Sequence, residues 1–196
     1  MNEVSTVIVF LLIIIFFSIV ISIILEHSEL FLEYRVAKNN NKTYGIQEIF
    51  NESSKAIELL ARLHEEMDTL VANLKKKYPN DDRILRLVKG VEKIKIEEAP
   101  NDDGSSYTIN KGELMALCLR HKKGDHPFHD YNTLQFVMIH ELAHIASVSE
   151  GHNQEFINNF RFLLREAKAL GYYEPVNYSN EPIYYCGIKL TNNPYF

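Results

Sequence analysis

The chain has 196 residues, a formal net charge of −5, 46% hydrophobic residues and 24% charged residues. That balance excludes wholesale disorder, and with no excess of Lys and Arg it excludes a protein built mainly to neutralise phosphates. Two cysteines, Cys118 and Cys186, are too few for a disulfide-rich scaffold, and neither has a partner at metal-ligand spacing.

The first 25 residues stand apart. Val4 to Leu25 is a run of 22 residues without a charge. As a helix it would be about 33 Å long, against a hydrocarbon core of roughly 30 Å, so residues 1–25 are expected to form an N-terminal transmembrane anchor. No Lys or Arg precedes the run and no small-residue cleavage pattern follows it, which favours an anchor over a signal peptide. Arg35, Lys38 and Lys42 follow it and place the remainder on the cytoplasmic side. Sequons at Asn41, Asn51 and Asn177 keep the opposite orientation open. The expectation is a single-pass membrane protein that meets a lipid bilayer through residues 4–25. Residues 26–45, with the polar tract Lys38–Lys42, read as a juxtamembrane linker, and residues 46–196 as the folded domain.

Within that domain a helix is expected from Ser53 or Ser54. Its apolar stripe is Ile57, Leu60, Leu63, Met67, Leu70, Val71 and Leu74, and Lys75–Lys77 close it. Asp81 or Asp82 caps a shorter helix through Ile84, Leu87 and Val88. Residues 91–96 alternate apolar and charged as a half-buried strand does, and 107–109 and 114–119 read as further strands. Residues 121–130 form a polar loop with His121, His126 and His129, where spacing alone specifies little. Helical periodicity returns over 134–147 and again over 153–170, where Gly171 ends it. The tail reads as loop with one short strand over 183–190.

The segment that carries chemistry is His140-Glu141-Leu142-Ala143-His144. On a helix, residues four apart share a face, so His140 and His144 can aim two imidazoles at one ion. Glu141, beside the first of them, can take a proton from a metal-bound water as general base. A catalytic zinc site takes a third protein ligand. His152 is the first candidate, because Gly151 permits a sharp turn back towards the helix and Phe156 would pack one turn further on. Glu166 is the rival. Three imidazoles suit Zn2+. One of the loop histidines, or Tyr172, Tyr173, Tyr184 or Tyr185, could steady an oxyanion. Cys118 and Cys186 read as core residues.

The stretches HELAH and GHxxxF (residues 151–156) resemble the WLM-domain and SprT-like zincin metallopeptidases. The wider arrangement, YTINKGELMALCLR, NTLQFVMIHELAH and YYCGI, is similar to metallopeptidases of large DNA viruses and covers roughly residues 50–190. The resemblance implies an α+β zincin-like fold with an active-site helix under a short sheet. It also implies His140, His144 and His152 as ligands to Zn2+ and Glu141 as general base. An edge strand would pair with an extended protein or peptide substrate, and residues 113–119 are the expected edge. The expected function is therefore a membrane-anchored zinc metallopeptidase that binds no nucleic acid. Two alternatives stand beside it: a non-catalytic membrane-anchored structural or virion protein with a structural metal, and a DNA-linked protease of the WLM kind.

Overall fold

The computed structural model describes residues 10–21, 32–100 and 104–196. Residues 10–21 form a helix, α1. Its twelve residues span about 18 Å at 1.5 Å per residue, short of a hydrocarbon core. Among the described residues no helix is long and apolar enough to cross a membrane. This corrects the expectation of a single-pass membrane protein with its domain on the cytoplasmic side. Residues 4–9 and 22–25 of the apolar run lie outside the described residues.

The region read as a linker is partly sheet. β1 (Leu32–Val36) and β2 (Thr43–Gln47) pair antiparallel, with Leu32 opposite Gln47 and Val36 opposite Thr43. The polar tract between them is the turn: Ala37 N–H donates to the Lys42 carbonyl at 2.9 Å, and Asn41 takes φ 56°, which Asn tolerates better than most residues.

α2 (Ser53–Lys77) buries the whole predicted stripe, from Ile57 to Leu74, and ends in Lys75, Lys76 and Lys77. α3 (Asp82–Val91) starts at Asp81, whose side chain accepts from the Arg83 N–H. Because α3 runs on to Val91, β3 (Lys95–Glu98) begins later than the alternation suggests. β4 (Tyr107–Ile109), β5 (Leu114–Leu117), α4 (Tyr131–Ala146) and α5 (Gln154–Ala169) follow. The tail holds a hairpin, β6 (Ile183–Tyr185) and β7 (Ile188–Leu190), in place of one strand.

The main sheet has the order β1-β2-β3-β5-β4. It is mixed: β2, β3 and β5 run parallel, with an antiparallel strand at each edge. β5 is therefore interior, and the expectation that residues 113–119 form the free edge is corrected to β4. The physical reason is plain in the burial: Met115, Ala116, Leu117, Cys118 and Leu119 are all buried, as suits a strand covered on both faces. α2 packs on β2 and β3, α4 packs on β4 and β5, and the two helices touch each other, so both cover one face. α3 and α5 pack against α4 in turn.

Two internal features support this frame. Glu98 and Arg120, both buried, pair at 2.8 Å, while Glu98 also accepts from the Gln47 N–H, tying β2, β3 and the segment after β5 together. The turn between β4 and β5 runs through three residues of positive φ, Asn110, Lys111 and Gly112, and Gly112 lies against the backbone of Gly90 in α3. A Cβ at Gly112, at φ 119°, would drive into the Gly90 carbonyl. Gly112→Ala should therefore lose about 2–4 kcal/mol of stability in denaturant unfolding.

His64 of α2 gives a second prediction. It is buried, with the Lys42 Nζ 2.8 Å from Nε2 and the Tyr44 hydroxyl 3.0 Å from Nδ1. Burial pushes it down to about 4; Asp68 opposes this and Lys42 reinforces it. The unfolded chain thus binds a proton near pH 6.5 that the folded chain refuses until about pH 4. The His64 contribution to stability therefore falls as pH drops through that window. In His64→Gln the fall should be shallower by up to about 1.4 kcal/mol per pH unit, read from unfolding curves between pH 4 and 7.

Candidate metal centre

α4 is buried almost throughout, and His140 and His144 are among its half-buried positions. His140 and His144 sit one turn apart on the face turned to a cleft of about 600 Å³. The chain then reverses. Gly151 adopts φ 76°, and Asn153 caps α5 by accepting from the Phe156 N–H at 3.1 Å. Glu155 holds the reversal by accepting from the Val148 and Ser149 N–H groups at 2.9 and 3.0 Å. The hydrogen bond from the Ser149 hydroxyl, with these two N–H groups, brings the Glu155 carboxyl down to about 2. Lys111 donates to the carbonyls of His144 and Ser149, at 3.0 and 3.1 Å, at the C-terminal end of α4.

The result is a triangle of ring nitrogens. The Nε2 atoms of His140, His144 and His152 lie 3.2, 3.2 and 3.0 Å apart. Phe156 packs against all three rings, with centroids 4.4 to 4.8 Å away, and Phe160 backs His140. Burial first, and then the neighbouring histidines, push His140 down to about 3 and His144 to about 4, so both rings are neutral at pH 7. Ring nitrogens converging on one point cannot all be satisfied by one another. A cation between them can satisfy all three: a tetrahedral zinc about 2.0–2.1 Å from each nitrogen spaces them about 3.3 Å apart. The three residues therefore fit a bound zinc ion.

Glu141 is buried beside them, and the Thr108 hydroxyl donates to its Oε2 at 2.9 Å. Burial raises the Glu141 carboxyl to about 7, with the Thr108 hydrogen bond opposing. The cleft is lined by Tyr107 and Thr108 of β4 and by Tyr185, Ile188 and Leu190 of the hairpin.

Other sequence candidates fall elsewhere. Glu166 is taken by the Lys77 Nζ at 2.9 Å and the Tyr78 hydroxyl at 2.8 Å, beside a separate groove. His126 stacks on Phe50 and His121 stacks on His129, so the three loop histidines do not converge on one point. Tyr184 is exposed, and Tyr173 is buried against Phe136 and bonded to Asn193. Tyr185 reaches the cleft, but its hydroxyl is bonded to the Cys118 carbonyl and to Ser106. Cys118 and Cys186, read as separate core residues, are bonded to each other across 68 residues of chain. Thr108, Lys111 and Glu155 are absent from the sequence reading because nothing local marks them: each acts on a segment at least six residues away.

The WLM domain model matches residues 105–182. Uncharacterized protein R325 of Acanthamoeba polyphaga mimivirus is 31% identical over 155 residues, covering 76% of this chain and 78% of that protein. Uncharacterized protein 136R of Invertebrate iridescent virus 6 is 32% identical over 161 residues, covering 76% and 88%. Wss1 from Saccharomyces cerevisiae superposes with a TM-score of 0.47 at 19% identity, covering 64% of this chain and 89% of that one.

The geometry of the triangle makes a direct prediction. The disulfide-bonded wild-type chain should carry about one zinc, and His144→Ala and His152→Ala should each lose most of it, by elemental mass spectrometry. Zinc retained in His152→Ala would exclude His152 as a ligand.

Proposed function

The chain belongs to the WLM-domain family, a family of zincin-like metallopeptidases, and we propose that it hydrolyses peptide bonds at the three-histidine site. The observation that supports this most strongly is the pairing of the imidazole triangle with a buried carboxylate in an open cleft beside a sheet edge. A purely structural site has no use for a free carboxylate at that position. It would also close its fourth coordination position with protein.

His140, His144 and His152 hold the cation. When bound, it lowers the pKa of its water and polarises the scissile carbonyl. Glu141 receives the water proton at its carboxylate and returns it to the leaving amine. Thr108 fixes the carboxylate through Oε2, so that it faces the reacting water without searching rotamers. Thr108 lies on β4, an edge strand of the sheet, and lines the cleft. An extended segment of a protein or peptide substrate would pair there as an added strand, in the cleft that Ile188 and Leu190 of the hairpin also line. The same strand therefore aligns the scissile bond and orients the base.

Glu141→Gln should retain zinc while cleavage of an unfolded polypeptide mixture falls by about 10²–10⁴-fold, followed by the release of new amino termini. Full activity in the variant would remove Glu141 from the mechanism. Loss of zinc together with activity would place Glu141 in a structural role instead.

A further inference from the structure

A second cluster of metal-ligating side chains lies outside the three-histidine site. Cys118 follows β5, Cys186 occupies the turn of the β6–β7 hairpin, and His129 closes the loop before α4. All three are buried. Their Sγ and ring-nitrogen atoms lie within 4.8 Å of one another, and Cys186 Sγ is 3.3 Å from His129 Nε2. In the structure the two sulfurs are bonded as a disulfide, with Cα atoms 6.4 Å apart.

Three observations say more than a structural crosslink requires. The first is the imidazole. A disulfide has no proton to donate and no charge to balance, yet His129 is buried with Nε2 against the sulfur. The second is the turn. Cys186 and Gly187 form a two-residue hairpin loop with φ 46° and 81°, a conformation that favours Asn, Asp and Gly at its first position. A cysteine there accepts backbone strain to aim its sulfur inward. The third is the surroundings. The carbonyl oxygen of Arg120 lies 3.4 Å from Cys118 Sγ and 3.6 Å from Cys186 Sγ, and His121 stacks on His129 with ring centroids 3.9 Å apart. The Arg120 carbonyl is near enough to both sulfurs to add an oxygen ligand.

We propose that Cys118, Cys186 and His129 form a second metal site for a thiophilic divalent cation such as Zn2+, open to the ion when the disulfide is reduced. Two thiolates and a neutral imidazole give a net-neutral complex with a divalent ion, which is the charge state a buried position tolerates. Thiolate ligands 2.3 Å from a tetrahedral ion stand about 3.8 Å apart, so the sulfurs need only part after reduction. Loading takes up one cation and releases two thiol protons. In the reverse direction, a low-molecular-weight disulfide oxidises the metal-free pair: the Cys118–Cys186 bond forms, the small disulfide's bond breaks, and two small thiols leave with the two protons. Disulfide and metal are thus alternative occupants of one place.

The test uses the full chain, untreated or reduced with a phosphine, and Co2+ or Zn2+ alone as probe. The three-histidine site has no sulfur, so sulfur-to-cobalt charge-transfer absorption reports only the second site. Reduced wild type should show that absorption and bind about two Zn2+ per chain; the disulfide-bonded chain should show none and bind about one. Cys186→Ser should abolish the absorption while keeping the ion at the three histidines, which also reads out folding. His129→Ala should weaken cobalt binding at least tenfold. Reduced wild type that lacks the absorption and takes up no more zinc than the disulfide-bonded chain overturns the proposal. So does a His129→Ala affinity equal to wild type. Loss of metal at the three histidines alone would count against the proposed peptidase and leave the charge-transfer readout intact.

Discussion

Two imidazoles on one helix define a line, not a site. What the metal centre depends on is the reversal between α4 and α5, which must return a third imidazole to within about 3 Å of the first two. Backbone capping pins that reversal at both helix ends. Glu155 takes the two N–H groups that follow α4, Asn153 caps α5, and Lys111 reaches across from the sheet to the carbonyls of His144 and Ser149. Ser147 adds a buried link, donating to Ala143 and accepting from Asn159 of α5. Once both helix ends are pinned, Phe156 has a single place to go, against the three rings.

Burial then sets the chemistry. α4 has few exposed positions, so protonated rings or a free carboxylate on it would be costly. The histidines respond by staying neutral, which is the state a metal needs, and Glu141 responds by holding a proton up to about pH 7. The same desolvation therefore prepares the ligands and makes the carboxylate a good proton acceptor at neutral pH. Thr108 supplies the opposing pull on Glu141, and it comes from the strand against which a substrate would lie.

What was legible in the sequence was local. The stripe of α2, the Asp81 cap and the HELAH helix follow from spacings of three and four, and His152 follows from Gly151 and the resemblance to WLM proteins. Strand neighbours were harder. Residues 114–119 read as a strand, but whether a strand is interior or edge depends on which other strand pairs with it, and β4 is only three residues long. The β1–β2 hairpin was hidden by its Asn-rich turn, which resembles a linker in composition. The apolar run at the start gave a length sufficient for a membrane span, while the described helix within it is shorter. The Cys118–Cys186 bond was invisible, since 68 residues of separation carry no periodic signal.

The two walls of the cleft are held in different ways. β4 is hydrogen-bonded into a five-stranded sheet. Among the described residues the β6–β7 hairpin pairs only within itself, and a lone two-stranded hairpin is marginal in water. Its position comes from its turn: Cys186 is bonded to Cys118, and Tyr185 donates to the Cys118 carbonyl while pairing with Ser106, the residue just before β4. The hairpin wall is therefore anchored to the far end of β5, the strand that β4 pairs with. Thr108 of β4 and the hairpin that carries Ile188 and Leu190 are thus both tied to one strand, the hairpin at the point where Cys118 leaves the sheet. A bond at that point, from sulfur to sulfur or from both sulfurs through an ion, ties the hairpin that lines the cleft of the imidazole triangle to the sheet.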